Sequence, residues 1–151
     1  FVGDEIMAMY GAPTPHPEPE IAAVRTAVMM LKRLRELHSR DPGRKRGFYD
    51  VKIGIHAGPV ILGNVGSASR TEYAAVGDDV NLGSRIMGMC KALESKVLVS
   101  KEIVEKCLNL PEVRFVSKGS HAIKGRKEMV ELFAMEVVGL ETDEIHSLDS
   151  E

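Results

Sequence analysis

The segment at 51–86, VKIGIHAGPVILGNVGSASRTEYAAVGDDVNLGSRI, sets glycine-punctuated β-rich runs ahead of a polar loop and then a helix, which restricts the folds open to the chain. Residues 51–56 alternate as a strand does, 59–65 form a second β-rich run after the Gly58-Pro59 break, and the two read as a hairpin. Residues 70–76 are a third strand candidate. Gly77-Asp78-Asp79 then opens a helix to about Leu93, with an aspartate available to cap its exposed amides. On that helix Asn81 and Arg85 stand four residues apart and project from one face. Arginine offers a planar fork of donors to phosphate oxygens, and asparagine orients a sugar or phosphate oxygen without adding charge. The pair suits an anionic ligand, although a polar stripe on a solvated helix would show the same spacing.

The flanking sequence supplies the remaining elements. Residues 5–10 (EIMAMY) read as a strand leaving a Gly3-Asp4 turn, stopped by Gly11 and the prolines at 13, 15, 17 and 19. Ile21, Val24, Val28, Leu31 and Leu34 recur at three and four across 18–38, an amphipathic helix whose acidic start and basic end complement its dipole. Residues 40–47, with four basic groups including Arg40, Arg44, Lys45 and Arg46, read as an exposed connection. Residues 97–99 are a short strand, Ser100 caps a brief helix through Cys107, and 113–123 and 129–138 are strands separated by the turn Lys124-Gly125-Arg126. This order predicts an α+β sandwich with helices on a mainly antiparallel sheet. Residues 1–138 form the domain and 139–151 an acidic, frayed tail.

Composition narrows the function classes. The 151 residues are 44% hydrophobic, enough for a single core. A net charge of −2 from 20 basic and 22 acidic groups, with 5% aromatics and no Trp, argues against nucleic acid as a partner. No apolar stretch approaches the ~20 residues that cross a bilayer, so direct membrane insertion by this segment is not expected. Cys90 and Cys107 lack zinc-type spacing and read as reduced structural thiols, which fits a cytoplasmic setting or the cytosolic part of a membrane-tethered protein. His56, a lone histidine among apolar residues, reads as packed or hydrogen-bonded rather than catalytic. Gly54, Gly58, Gly63 and Gly66 lack P-loop spacing and read as points of close backbone approach.

Three motifs in order, FVGDEIMAMYGAP, then VKIGIHAGPV with RTEYAAVGDDVNLGSR, and finally AIKGR, resemble the class III nucleotidyl cyclases, the adenylyl and guanylyl cyclases. The resemblance implies a ferredoxin-like cyclase domain and a lyase that forms a 3′,5′-cyclic nucleotide and pyrophosphate from ATP or, alternatively, GTP. It implies that Asp4 matches the second of two metal aspartates, holding Mg2+ or Mn2+ with two ions per site, and that the first aspartate lies upstream. Asn81 and Arg85 match the pair that steadies the ribose and the pentacovalent phosphate, and Lys124 the lysine on the terminal phosphates. Ala74 falls at the base-reading position, where adenylyl cyclases carry aspartate or threonine; alanine makes no side-chain hydrogen bond there. The resemblance further implies a homodimer through the catalytic face, with metal aspartates from one protomer and the other groups from its partner. The chain reads as part of a longer protein, with little activity alone. A silent nucleotide-binding or dimerisation module is the alternative.

Overall fold

The computed structural model describes residues 4–41, 43, 50–67 and 70–140, with the backbone alone at 64–67 and 70–75. The order is α1 (Pro19–Arg40), β1 (Ile53–Ile55), β2 (Ile61–Ser67), β3 (Arg70–Val76), α2 (Asp78–Gly88), β4 (Val97–Ser100), α3 (Lys101–Cys107), β5 (Val113–His121) and β6 (Val130–Val137). The basic residues Arg44, Lys45 and Arg46 and the tail beyond Leu140 lie outside the described residues.

A four-stranded sheet, ordered β1-β4-β6-β5, forms the centre, and β2 and β3 make a separate antiparallel ribbon. Strand β4 is buried on both faces, with three apolar residues followed by Ser100. Its alternate side chains divide the core: Val97 and Val99 pack with Val24, Ala27 and Val28 of α1 and Ile103 and Cys107 of α3. Leu98 faces the other way, onto Leu82 and Ile86 of α2, Ile123 and Leu132. The period-two geometry of a strand thereby places α1 and α3 on one face and α2 on the other.

Two expected elements differ. Strands β1 and β2 do not form a hairpin: β1 pairs in parallel with β4, Ile53 beside Val97, whereas β2 pairs with β3. Parallel neighbours need a long crossover, here the β2–β3 ribbon and α2, and a partner so distant leaves no local sign. Nor do residues 5–10 form a regular strand. Glu5 makes a single bridge, and Ile6 stands 71% exposed. A strand requires a neighbour for its N–H and C=O groups, and among the described residues none runs beside 6–9. Met29 and Met30 of α1, which the sequence assigns to core or interface packing, are exposed.

Both cysteines are free and buried. Burial pushes each thiol up, which suppresses the reactive thiolate, as expected of structural residues.

Candidate active site

The site begins where α2 leaves the β2–β3 ribbon. Gly77, at φ +141°, precedes the helix and makes no side-chain cap. Neither aspartate is the expected cap, because Gly77 holds that position and both lie in the first turn, where Asp79 has other partners. Its Oδ1 accepts from His56 Nε2 at 2.7 Å and from Arg126 Nη2 at 2.7 Å. Behind it, His56 Nδ1 lies 2.8 Å from the Ser100 hydroxyl. Ser100 stands at the N-terminus of α3, yet its side chain makes no cap either; it is fully buried and turned to the imidazole. An ionised carboxylate can only accept, so Nε2 carries the hydrogen, and Ser100 donates to Nδ1 when the ring is neutral.

Gly54, His56 and Gly58 alternate along the chain beside α2. A Cβ on Gly54 would lie 2.5 Å from the Met87 nitrogen, so only glycine lets the helix sit this close to β1. A Cβ on Gly58 would fall 2.6 Å from Asp79 Oδ1. Gly54 and Gly58 thus serve as points of close approach, and the histidine is hydrogen-bonded, as the sequence indicates; Gly63 does not, since a Cβ there would meet nothing within 4 Å. Desolvation works to raise the Asp79 carboxyl, but hydrogen bonds from His56 and Arg126, with their charge, outweigh it and hold the group below the usual aspartate range.

Leu82 and Ile86 anchor α2 in the core, which turns Asn81 outward to an exposed position with Arg85 one turn along. Lys124 is also exposed, at a turn closed by the Arg126 N–H on the Ile123 carbonyl at 3.0 Å. Gly125 has φ +87°, the value demanded at the third position of a type II turn. Arg85 Nη1 donates to the Lys124 carbonyl, joining residues 39 positions apart. The fold therefore brings Asn81, Arg85 and Lys124 to adjoining elements. Arg85 has further guanidinium donors beyond the one spent on that carbonyl.

Asp4 is exposed, and its neighbour Glu5 accepts from the Ser84 hydroxyl of α2 at 3.3 Å. Among the described residues no group of three His, Cys, Asp or Glu side chains is gathered to hold a metal ion. Asp4 by itself does not complete the octahedral oxygen shell that Mg2+ requires. Ala74 lies on β3 opposite Gly63 of β2. Among the described residues no helix is long and apolar enough to cross a membrane.

Sequence reading did not assign Asp79 or Arg126 a role in the site. The signal for Asp79 was the Gly-x-His-x-Gly alternation, which leaves room and a donor for one acceptor. Nothing local marks Arg126, whose partner is 47 positions away.

Comparison with known proteins identifies the family. The chain is 34% identical over 140 residues to Adenylate cyclase 1 of Rhizobium meliloti (strain 1021), covering 93% of this chain and 20% of that protein. It is 31% identical to an adenylate cyclase of Anabaena cylindrica, covering 88% of this chain and 26% of that protein. The chain thus spans about a fifth to a quarter of these relatives. Its fold superposes on the adenylyl cyclase CyaB from P. aeruginosa with a TM-score of 0.72 and 25% identity, over 84% of this chain and 64% of that one. The guanylyl cyclase Cya2 gives a TM-score of 0.69 and 28% identity, over 90% and 70%. With residues 1–136 also matched by the family model for the adenylate and guanylate cyclase catalytic domain, the chain belongs to that family.

Proposed function

We propose that this domain converts a purine nucleoside triphosphate, ATP first and GTP as the alternative, into its 3′,5′-cyclic monophosphate and pyrophosphate. The supporting observation is the bond from Arg85 to the Lys124 carbonyl, which sets two cations and the Asn81 amide on neighbouring elements. Such a surface can grip both ends of a triphosphate. The relatives named as adenylate cyclases favour ATP.

In this reading the ribose 3′-oxygen attacks the α-phosphorus in line, and pyrophosphate departs. Arg85 offsets charge that grows on the α-phosphoryl oxygens, a role suited to a preorganised fork of donors. Asn81 orients the ribose, and Lys124 holds the terminal phosphates, which carry full charge before reaction begins. Asp4 supplies one oxygen ligand to the divalent ions, Mg2+ or Mn2+, whose chemistry is to polarise phosphoryl oxygens. Two protomers share the site, Asp4 coming from one and Asn81, Arg85 and Lys124 from its partner. Ala74 favours a second reading, a nucleotide-binding module without turnover, because alanine cannot read a base by a side-chain hydrogen bond.

The test is product analysis. Full-length protein incubated with ATP or GTP and Mg2+ or Mn2+ should yield cyclic monophosphate and pyrophosphate in equal amounts. Binding without turnover would favour the silent module.

A further inference from the structure

Lys124 is exposed, so its position depends on how its turn is held. Three anchors hold it. Ile123 is buried against Leu82 and Ile86 of α2, the Lys124 carbonyl accepts from Arg85, and Arg126 Nη2 donates to Asp79 at 2.7 Å. The last anchor reaches deepest into the fold. The same Asp79 oxygen accepts from His56, whose side chain is 5% exposed and is itself bonded to the fully buried Ser100 at the end of β4. A chain of hydrogen bonds therefore runs from the sheet, through the first turn of α2, to the residue that closes the lysine turn.

We propose that Arg126 is a positioning residue for triphosphate recognition: clamped to Asp79, it fixes the 123–126 turn so that Lys124 meets the terminal phosphates. This rests on the reading of Lys124 as a phosphate contact. The Arg126 side chain is 32% exposed and contributes little to the apolar core, so its removal should register in ligand geometry more than in folding. The strand that follows is secured independently by its pairing with β4 and β5. Misplacing a charged contact by an ångström is costly, and loss of one charge-assisted hydrogen bond corresponds to about ten-fold in affinity.

A simple field effect makes a different prediction. If Arg126 merely added positive potential, neutralising Asp79 would make the neighbourhood more positive and strengthen phosphate binding. Positioning demands the reverse, because Asp79→Asn removes the carboxylate that holds Arg126.

The experiment measures affinity of the full-length protein for 3′-deoxy-ATP, which lacks the attacking hydroxyl, and for AMP, by calorimetry. Lys124→Gln, Arg126→Gln and Asp79→Asn should each weaken triphosphate binding by roughly five- to ten-fold while AMP affinity stays within about two-fold. The Arg126→Gln, Lys124→Gln double variant should bind no more weakly than Lys124→Gln alone, and Arg126→Lys should recover part of the loss. Unchanged triphosphate affinity in Arg126→Gln, with Lys124→Gln impaired, would overturn the proposal alone, as would tighter binding by Asp79→Asn. An equal loss of AMP affinity would show a general structural role and overturn it too. Unchanged affinity in Lys124→Gln would instead remove the reading of the lysine, and the proposal with it.

Discussion

A side-chain carbon on Gly125 would lie 2.5 Å from Nη1 of Arg85. The guanidinium ends a flexible side chain and can shift to make room, so the stronger demand for glycine is the φ of +87°, where a Cβ is strained. Gly125→Ala is expected to lower stability by about 1 kcal/mol or more and to reduce cyclase turnover along with it. Urea denaturation and steady-state assays check the two effects. Full activity would mean that the turn tolerates displacement.

The Asp79 carboxyl makes stability depend on pH in a defined direction. Its folded pKa is depressed by His56 and Arg126 against the opposing effect of burial, so its contribution is complete above the unfolded value, about 3.9, and disappears as pH falls through the lower folded value. Asp79→Asn should be less stable than the parent by on the order of 1–2 kcal/mol at pH 7. That gap should close in acid below about pH 4. Urea midpoints for both proteins from pH 7 to pH 3 measure it, and a gap that widens in acid would contradict the assigned partners.

Cys90 and Cys107, each 1% exposed, should resist thiol reagents at neutral pH in the folded protein. Labelling that tracks denaturant-induced unfolding is the expected outcome. Rapid labelling of the native protein would show that the core opens around α2 or α3.

The proposed sharing of the site between protomers can be tested with mixtures. Asp4→Ala and Arg85→Ala should each be inactive as homodimers of the full-length protein, and mixing them should restore part of the activity, because one site of each mixed dimer keeps both groups. No recovery despite demonstrated subunit exchange would place the groups within one protomer.

What the sequence revealed was local. The three- and four-residue spacing of α1, the apolar run of β6 and the Lys124-Gly125 turn all carry their pattern within a few residues, and each appears in the structure. The helix bearing Asn81 and Arg85 appears too, ending at Gly88 rather than near Leu93. Non-local pairing was not legible. Strand β1 took its partner from Val97 onward rather than from the run next to it, and Asp79 and Ser100, both reasonable caps by residue type, were drawn instead to His56. A capping side chain exchanges its amide for a charged or buried partner when tertiary packing brings one within reach, and that choice is made by residues tens of positions away.

The central claim is that the outer face of α2 handles the reacting phosphate, and Arg85→Lys tests it most directly. The substitution keeps the charge but loses the planar fork. Steady-state kinetics of cyclic nucleotide formation by the full-length protein should show kcat reduced by about 10²-fold or more with KM nearly unchanged, the pattern of a contact made in the transition state. Lys124→Arg, acting on phosphates already charged in the ground state, should keep appreciable activity. A defect confined to KM in Arg85→Lys, or turnover equal to that of the parent, would contradict the account.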